Sequence, residues 1–263
     1  MSSVSHALTD SATMVRRNLT RMVRYPSMMV LLIGMPVVFL LLFVYVFGGT
    51  LGAGIGGGTG GRAEYVNYVT PAIILMSITS AVQGTSISVA MDMTEGIVDR
   101  FRTMAIARVC VLTGHVVGSL VQTVLAMAAV IGVALLVGFR PSAGPVEWLA
   151  LVGVLVLMAF AFIWLSVALG LASKTVEAAS NVGMPLVLLP FLGSGFVPTD
   201  SMPTVLRWFA EYQPFTPLIE TIRGLLLGTP LGNTPLVALA WCVAIALGGY
   251  LWSKKLFNRE STR

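Results

Sequence analysis

The chain has 263 residues, of which 56% are hydrophobic and 10% are charged, and its formal net charge is +5. A soluble domain carries about 25% charged residues, so this composition excludes an ordinary soluble globular protein. There are only two cysteines and two histidines, and their spacing matches neither a metal site nor a disulfide framework. We therefore predict an all-α polytopic membrane protein with no catalytic, metal-binding or cofactor-binding site of its own.

Residues 8–24 have the pattern of an amphipathic helix. Apolar residues recur there at three- and four-residue spacing, and four arginines occupy the opposite face. A basic amphipathic helix of this kind lies in the membrane interface. Tyr25 precedes Pro26, a context that disfavours helical backbone, so the segment is separated from the first apolar run. We predict an N-terminal interfacial helix rather than a solvated extension of the first span.

Six apolar runs are long enough to cross the roughly 30 Å hydrocarbon core of a bilayer. They are residues 28–47, 66–91, 109–138, 147–172, 180–197 and 234–252. Basic residues alternate between the two sides of these runs, with twelve on one side and four on the other. The four are Arg62, Arg140, Arg207 and Arg223. Because Lys and Arg concentrate in cytoplasmic segments, the alternation predicts that both termini are cytoplasmic.

The glycine-rich stretch 48–61 contains a G-x-G-x-x-G pattern at residues 52–57. That pattern binds a dinucleotide where a strand delivers it to a helix N-terminus within a βαβ unit. Here the stretch follows a membrane span, and no Gly-Lys-Ser or Gly-Lys-Thr closes it as a phosphate-binding loop. The predicted topology also places it outside the cell. We therefore predict a flexible external coil without a nucleotide site.

Residues 92–108, DMTEGIVDRFRTMAIAR, change character abruptly after the second span. Three acids and three arginines accompany apolar residues at helical spacing, which predicts a short cytoplasmic amphipathic helix. Asp99 and Arg102 are three residues apart and can pair on its surface. The pattern by itself leaves two hypotheses open: a charged inner loop, or a helix that docks into a groove of a partner.

Four polar residues lie in or near the predicted spans: Gln83, His115, Gln122 and Asn181. Polar groups at membrane depth mark transport pathways in some proteins and hydrogen-bond neighbouring helices in others. No two of the four form a catalytic arrangement. We favour hydrogen bonding between helices for these residues, and a role in a transport pathway remains an alternative chiefly for His115.

Residues 203–228 form a long external segment rich in prolines and aromatic residues. Pro203 can begin a helix, Pro214 and Pro217 interrupt it, and a second short helix is predicted from Pro217 to Gly228. Glu220 and Arg223 are three residues apart on that second helix and can pair. A broken helical hairpin that re-enters the outer leaflet fits this pattern. The alternative is a hairpin that lies on the membrane surface.

Three segments together resemble the permease subunits of type-2 ABC exporters, in the daunorubicin-resistance-like branch. They are EYVNYVTPAIILM (64–76), MTEGIVDRFRTMAIARVCVLTG (93–114) and FVPTDSMPTVLRWFAEYQPFTPLIETIRGLLLG (196–228). The third is the most specific, because its Met-Pro, Arg-Trp-Phe, two later prolines and Arg-Gly-Leu-Leu-Leu-Gly follow the family's order and spacing. Two departures affect local geometry: relatives usually carry glycine at the position of Ala72, and often proline at that of Ala105.

The resemblance implies a single membrane domain over 1–263, without an ATPase, that pairs as a homodimer or with a paralogous permease. Two copies of a separate ATP-binding subunit, which holds ATP and magnesium, would supply the energy from the cytoplasm of a bacterial cell. Residues 92–108 would be the coupling helix and 203–228 the external re-entrant helices. The implied coupling residues are Thr94, Glu95, Gly96, Asp99, Arg100, Phe101 and Arg102. The implied external residues are Pro203, Trp208, Pro214, Pro217, Glu220, Arg223 and Gly224.

The function that this resemblance implies is export of a hydrophobic or amphipathic small molecule, such as a drug or natural product. Export of a lipid-linked glycan or lipid is the alternative within transport. A sensory or structural membrane partner is a third hypothesis, which predicts that residues 93–108 bind no ATPase. An intramembrane enzyme is disfavoured, because His6 and His115 are the only histidines and no nucleophile motif is present.

Overall fold

The computed structural model of the chain describes Thr20, Arg24 and residues 26–55, 61–94 and 108–259, and every regular element in these ranges is a helix. The α-helices are α1 (Pro26–Leu42), α2 (Gly48–Ile55), α3 (Arg62–Thr94), α4 (Arg108–Val137), α5 (Pro145–Ala172), α6 (Val176–Leu188), α7 (Thr204–Tyr212), α8 (Phe215–Leu227) and α9 (Thr234–Arg259). A π-helical turn, Phe43–Phe47, joins α1 to α2, and 3-10 turns occupy Leu189–Leu192 and Thr199–Ser201.

Five helical stretches of the described chain are long and apolar enough to cross a membrane: Leu32–Ile55, Arg62–Thr94, Thr113–Val137, Pro145–Ala172 and Thr234–Phe257. The predicted span 180–197 corresponds to a shorter apolar helix, Val176–Leu192. At 1.5 Å per residue this helix is about 25 Å long, and Pro185 and the 3-10 turn interrupt its regular hydrogen bonding. The chain is thus a multi-pass helical membrane protein, whereas six full spans remain a prediction.

The core of the bundle forms around α3. Of the most apolar stretch of α3, 72% is buried, against 22–50% in the other four long helices. It packs against α1, α2, α4, α5, α6 and α8. An apolar helix surrounded by other helices has little contact with lipid, so its side chains are the ones most constrained by protein packing. As a whole, α3 is therefore in contact with most of the other described helices.

The glycine stretch differs from its prediction as flexible coil, because residues 48–55 form α2. Gly48 lies against the side chain of Arg62, and a Cβ at Gly52 would overlap the carbonyl oxygen of Gly61. The absence of side chains lets α2 approach the start of α3 at backbone distance, and this packing outweighs the low helix propensity of glycine. The prediction is therefore wrong for residues 48–55, while residues 56–60 lie outside the described residues.

The predicted interfacial helix and the predicted cytoplasmic helix lie mostly outside the described residues. Residues 8–24 lie outside the described residues except for Thr20 and Arg24. In the predicted helix 92–108, residues 92–94 instead belong to α3, and Arg108 already begins α4. Helix α3 therefore extends three residues beyond the predicted end of the second span. Residues 95–107 lie outside the described residues.

Candidate functional site

Residues 203–228, which were predicted to be external, contain two helices that meet at Gln213-Pro214. Pro203 caps the N-terminus of α7, and Pro214 caps that of α8. Pro217 does not interrupt a helix as predicted. It lies in the first turn of α8, where its missing N–H group has no intrahelical partner to lose. Gly228 ends α8 in the left-handed conformation, with a φ of 69°, which favours glycine.

Arg223 on α8 is the centre of a group that we call the outer cluster, formed by Tyr68, Ser194, Glu220 and Arg223. The Arg223 Nη1 atom donates to Glu220 Oε1 at 2.6 Å, so the predicted pair is present. Its Nη2 atom donates to the backbone oxygens of Tyr68 at 3.1 Å and Ser194 at 2.9 Å. The guanidinium carbon also lies 3.9 Å from the centre of the Tyr68 ring. One planar side chain thus joins α8, α3 and the segment that follows α6.

Two tyrosines of α3 also hydrogen-bond to the segment that follows α6. The Tyr68 hydroxyl donates to Ser194 O at 2.8 Å, and the Tyr65 hydroxyl donates to Phe196 O at 3.3 Å. Both acceptors are backbone oxygens in a stretch without regular secondary structure. Buried carbonyls outside helices need such donors, since leaving them unpaired is costly. The tyrosines therefore fix the chain between α6 and α7 against the start of α3.

Buried polar atoms without a hydrogen-bond partner also concentrate here within the described part of the chain. They are Ser194 Oγ, Arg223 Nε and both side-chain amide atoms of Gln213. Gln213 lies beside Gly193, close to the Thr216 hydroxyl that accepts from Ser194 N. Buried groups of this kind usually hydrogen-bond to ordered water or to a bound polar group. The outer cluster and the neighbouring Gln213 therefore hold the unpaired buried side-chain polar atoms of the described chain.

α7 lies on the surface and presents Trp208 and Tyr212, which are 64% and 66% exposed. A cavity of about 380 Å³ separates it from the turn after α6, with walls formed by Leu189, Trp208, Phe209, Tyr212, Gln213 and Pro214. Arg207 pairs on the surface with Glu211 at 2.7 Å and Asp200 at 2.8 Å. The hydrogen bond to Glu211 and the charge of Asp200 raise the pKa of the Arg207 guanidinium. Thus α7 carries exposed aromatic residues and paired charges rather than core contacts.

An aromatic group links the π-helical turn to the same region. Phe43 lies 4.5 Å from Phe196 between ring centres, and Phe196 stacks on Phe191 at 4.5 Å with 5° between the rings. Sequence analysis did not identify this group. The four-residue spacing of Phe39, Phe43 and Phe47 is the signal that could have indicated an aromatic stripe on the first helix. Its partners on the segment after α6 have no sequence signal.

A second electrostatic contact lies at the other end of α3. The Nε2 atom of His115 on α4 is 3.1 Å from Asp92 Oδ2, and the two side chains are 5% and 2% exposed. Further from the inner ends of the same two helices, Thr85 Oγ1 of α3 donates to Ser119 Oγ of α4 at 2.9 Å. Gln83 Nε2 donates to Ser180 O at 3.2 Å and joins α3 to α6. The predicted helix-to-helix bonding is confirmed for His115 and Gln83, whereas Gln122 and Asn181 make no such bond within the described residues.

The remaining predicted site residues divide between two locations. Thr94 is the last residue of α3, and its hydroxyl donates to Met91 O at 3.1 Å. Glu95, Gly96, Asp99, Arg100, Phe101 and Arg102 lie outside the described residues. Of the external residues, Glu220 and Arg223 are brought together, while Gly224 packs against Leu231 after the turn that follows α8. Pro203 precedes α7 and Trp208 lies on it, and neither contributes a side chain to the outer cluster.

The fold and these contacts define a helical membrane protein whose buried polar groups join helices. Within the described residues, no three His, Cys, Asp or Glu side chains group as metal ligands do. Residues 10–227 match the model of the ABC-2 type transporter family, so the chain belongs to that family. The matched range contains α1 to α8 and both segments that sequence analysis assigned to coupling and to the exterior.

Proteins with related sequences are drug-resistance permeases. Over 225 residues the chain is 27% identical to the "Daunorubicin resistance ABC transporter permease protein DrrB1" of Streptomyces coeruleorubidus. This matched region covers 85% of the present chain and 77% of the relative. Over 177 residues it is 22% identical to the "Probable doxorubicin resistance ABC transporter permease protein DrrC" of Mycobacterium tuberculosis. That match covers 66% of this chain and 64% of the relative. The chain is thus an ABC-2 permease homologous to drug-resistance permeases.

Proposed function

We propose that this chain is the membrane subunit of an ATP-driven exporter that moves a hydrophobic or amphipathic small molecule out of a bacterial cell. The observation that carries the proposal is the ABC-2 family match over residues 10–227, supported by similarity to daunorubicin and doxorubicin resistance permeases. The multi-pass apolar helices are consistent with it. Both termini are cytoplasmic in this proposal, as the alternation of basic residues indicates.

Two permease chains, alike or paralogous, would pair and associate with two ATP-binding subunits that hold ATP and magnesium. Residues 95–102 and Thr94 would contact the ATPase, because they connect the inner ends of α3 and α4 and carry both charge signs. Closure of the ATPase pair would displace this connection and shift the permease between inward- and outward-facing states. The free energy with which the ATPase can drive that shift equals the difference between its binding free energies for the inward- and outward-facing states of the permease.

The external helices would cover the exit side. The outer cluster supports this assignment, since Arg223 ties α8 to α3, the helix that runs on to the coupling residues. α7 would lie towards the outer membrane surface, where its exposed Trp208 and Tyr212 match the preference of these side chains for the interface. A molecule leaving between the permease chains would then pass residues that respond to movement of α3.

The test is to purify the tagged chain in mild detergent from the cells that naturally produce it, identify the copurifying ATP-binding subunit and reconstitute both in vesicles. We expect stoichiometric copurification, ATP hydrolysis and ATP-dependent transport of doxorubicin. Glu95→Lys is expected to abolish copurification while leaving membrane insertion intact. Glu147→Lys, an exposed charge reversal at the start of α5, is the matched control and is expected to retain both activities. A folded protein that binds no ATPase would contradict the proposal and favour a sensory or structural role.

The same vesicles distinguish the cargo classes. Transport of doxorubicin that is saturable and requires ATP supports the drug-export assignment. ATPase activity that doxorubicin leaves unchanged, and that a lipid-linked glycan stimulates, would instead support glycan export. Both outcomes retain the permease assignment, whereas the absence of a copurifying ATPase does not.

A further inference from the structure

Within the described residues, three Asp, Glu, His, Lys or Arg side chains are buried: Asp92, His115 and Arg223. Arg223 contacts α3 at Tyr68, near its first turns, and Asp92 lies two residues before its end. The 24 residues between Tyr68 and Asp92 span about 36 Å at 1.5 Å per residue, which is comparable to the thickness of a bilayer. One continuous helix therefore has a buried electrostatic contact at each end. The contact at the outer end joins α8, and the contact at the inner end joins α4.

The inner contact joins the two helices that border residues 95–107. Asp92 is in the last turn of α3, and His115 is in the second turn of α4. Their side chains meet at 3.1 Å with almost no exposure. Buried ionisable pairs contribute less to stability than apolar residues of similar volume, so stability alone is a weak reason to place one here. Ionisable residues within membrane helices are more often functional.

We propose that Asp92 and His115 are positioning residues that make the inner ends of α3 and α4 move as one body. Displacement of residues 95–107 then reaches α3 instead of being lost as sliding between the two helices. The inference rests on the proposed function, since it assumes that an ATPase acts on residues 95–107. In this proposal the Asp92–His115 pair transmits the displacement that the ATPase causes in residues 95–107 to the central helix α3.

The physical basis is the difference between apolar and polar contacts inside a membrane. Lipid tails are as apolar as leucine, so apolar contacts between α3 and α4 resist sliding only through shape. A buried hydrogen bond between ionisable groups is directional and short, and it is lost when one helix slides by a few ångströms. The Thr85–Ser119 contact lies between the same helices but involves no ionisable group. It therefore provides an internal comparison.

A pair that only stabilises the fold would change the amount of inserted protein but not the transport obtained per ATP hydrolysed. A positioning pair changes that ratio. The variants are Asp92→Val and His115→Leu, whose apolar side chains cannot form the hydrogen bond. Ser119→Ala is the matched control, because it removes a neutral hydrogen bond between α3 and α4. The reciprocal exchange, Asp92→His with His115→Asp, restores the pair in reverse.

In vesicles that contain the complex with its ATPase, ATP hydrolysis and doxorubicin transport are measured on the same sample. Both single variants are expected to hydrolyse ATP within twofold of the parent and to transport at least tenfold less doxorubicin per ATP. Ser119→Ala is expected to stay within twofold on both measures, and the exchange to recover at least half of the parent ratio. An unchanged ratio in both single variants overturns the inference, as does an exchange that transports no better than they do.

A second measurement needs neither ATPase nor transport. Spin labels are attached to cysteines at the exposed positions Thr94 on α3 and Val121 on α4, with Cys110 and Cys242 replaced by alanine. The distance distribution between the labels is expected to broaden in Asp92→Val and to keep the parent width in Ser119→Ala. An unchanged width in Asp92→Val overturns the inference even if a copurifying ATPase supports the proposed function. A broadened width without any copurifying ATPase supports the positioning role and overturns the exporter assignment.

Discussion

The guanidinium of Arg223 stacks on the ring of Tyr68, with its central carbon 3.9 Å from the ring centre, although the two residues are 155 positions apart. The same side chain donates to Glu220 Oε1 and to the backbone oxygens of Tyr68 and Ser194. No other arginine with described side-chain contacts joins three separate segments by its charged group. Arg223 thus adds charged hydrogen bonds to the apolar packing that joins α8 to the central helix α3.

Replacing Arg223 by alanine should destabilise the protein strongly. The change leaves two carbonyl oxygens and Glu220 without their charged donor, which costs about 3 kcal/mol. We expect a clearly lower unfolding temperature in detergent and loss of doxorubicin export. Arg207→Ala is the matched control, since Arg207 also pairs with two carboxylates but is exposed. Its unfolding temperature should stay near that of the parent. An equal decrease in unfolding temperature in both variants would contradict the prediction that Arg223 stabilises the contact between α8 and α3.

Exchanging Glu220 and Arg223 tests how much of this effect belongs to the ion pair. In the double variant Glu220→Arg with Arg223→Glu the pair can re-form, but a carboxylate would face the oxygens of Tyr68 and Ser194. A carboxylate donates no hydrogen bond, so both oxygens lose the guanidinium donor, and Ser194 O keeps only the Tyr68 hydroxyl as a side-chain donor. We expect the double variant to recover less than a quarter of parent export activity. Recovery to the parent level would show that the ion pair alone carries the function.

Gly52 should not tolerate a side chain, whereas Gly54 on the same helix should. A Cβ at Gly52 would overlap the oxygen of Gly61, while a Cβ at Gly54 meets nothing within 4 Å. Gly52→Ala is therefore expected to cost about 1–3 kcal/mol through overpacking. Gly54→Ala is expected to be neutral or to stabilise by up to about 1 kcal/mol, because alanine favours helix. Unfolding temperatures of the two variants check this, and equal values would argue against α2 packing on the start of α3.

The neighbouring glycines of α9 allow the same comparison at the largest helix interface. A Cβ at Gly249 would lie 2.6 Å from the backbone nitrogen of Leu165 on α5, whereas a Cβ at Gly248 meets nothing within 4 Å. Small residues let membrane helices approach at backbone distance. Gly249→Ala should therefore separate α9 from α5 and lower the unfolding temperature, and Gly248→Ala should not. The edge-to-face contact of Trp164 with Tyr250 would also be disturbed, so a change in tryptophan fluorescence in Gly249→Ala alone is expected.

Phe196 should contribute more to stability than Phe47. Phe196 is 4% exposed and contacts both Phe43 and Phe191 at 4.5 Å, whereas Phe47 is 42% exposed. Phe196→Ala leaves a cavity between the π-helical turn and the segment after α6, at a cost of about 3–5 kcal/mol. Phe47→Ala opens no enclosed cavity. Chemical denaturation of the two variants measures the difference, and a similar loss in both would mean that the aromatic group is not a packing unit.

Sequence patterns predicted the helices well and their partners poorly. The helical hairpin at 203–228 and the Glu220–Arg223 pair depend on prolines and on a three-residue spacing, which are local properties. The partner of His115 was not identified, because Asp92 belongs to an acidic stretch that was assigned to a cytoplasmic helix. In the structure α3 continues past it and buries it. The coil predicted for 48–55 failed because glycine propensity does not include backbone packing against another helix.

The amino-acid sequence by itself determined that this protein is a multi-pass helical membrane protein of the ABC-2 family. Apolar runs of span length and family motifs are properties of consecutive residues, and lipid selects helices for them whatever their neighbours are. Only the tertiary structure decided which helix is central, that Arg223 meets Tyr68 and Ser194, and that Asp92 meets His115. These contacts join residues far apart in the chain. Their geometry depends on how helices pack, which no local pattern encodes.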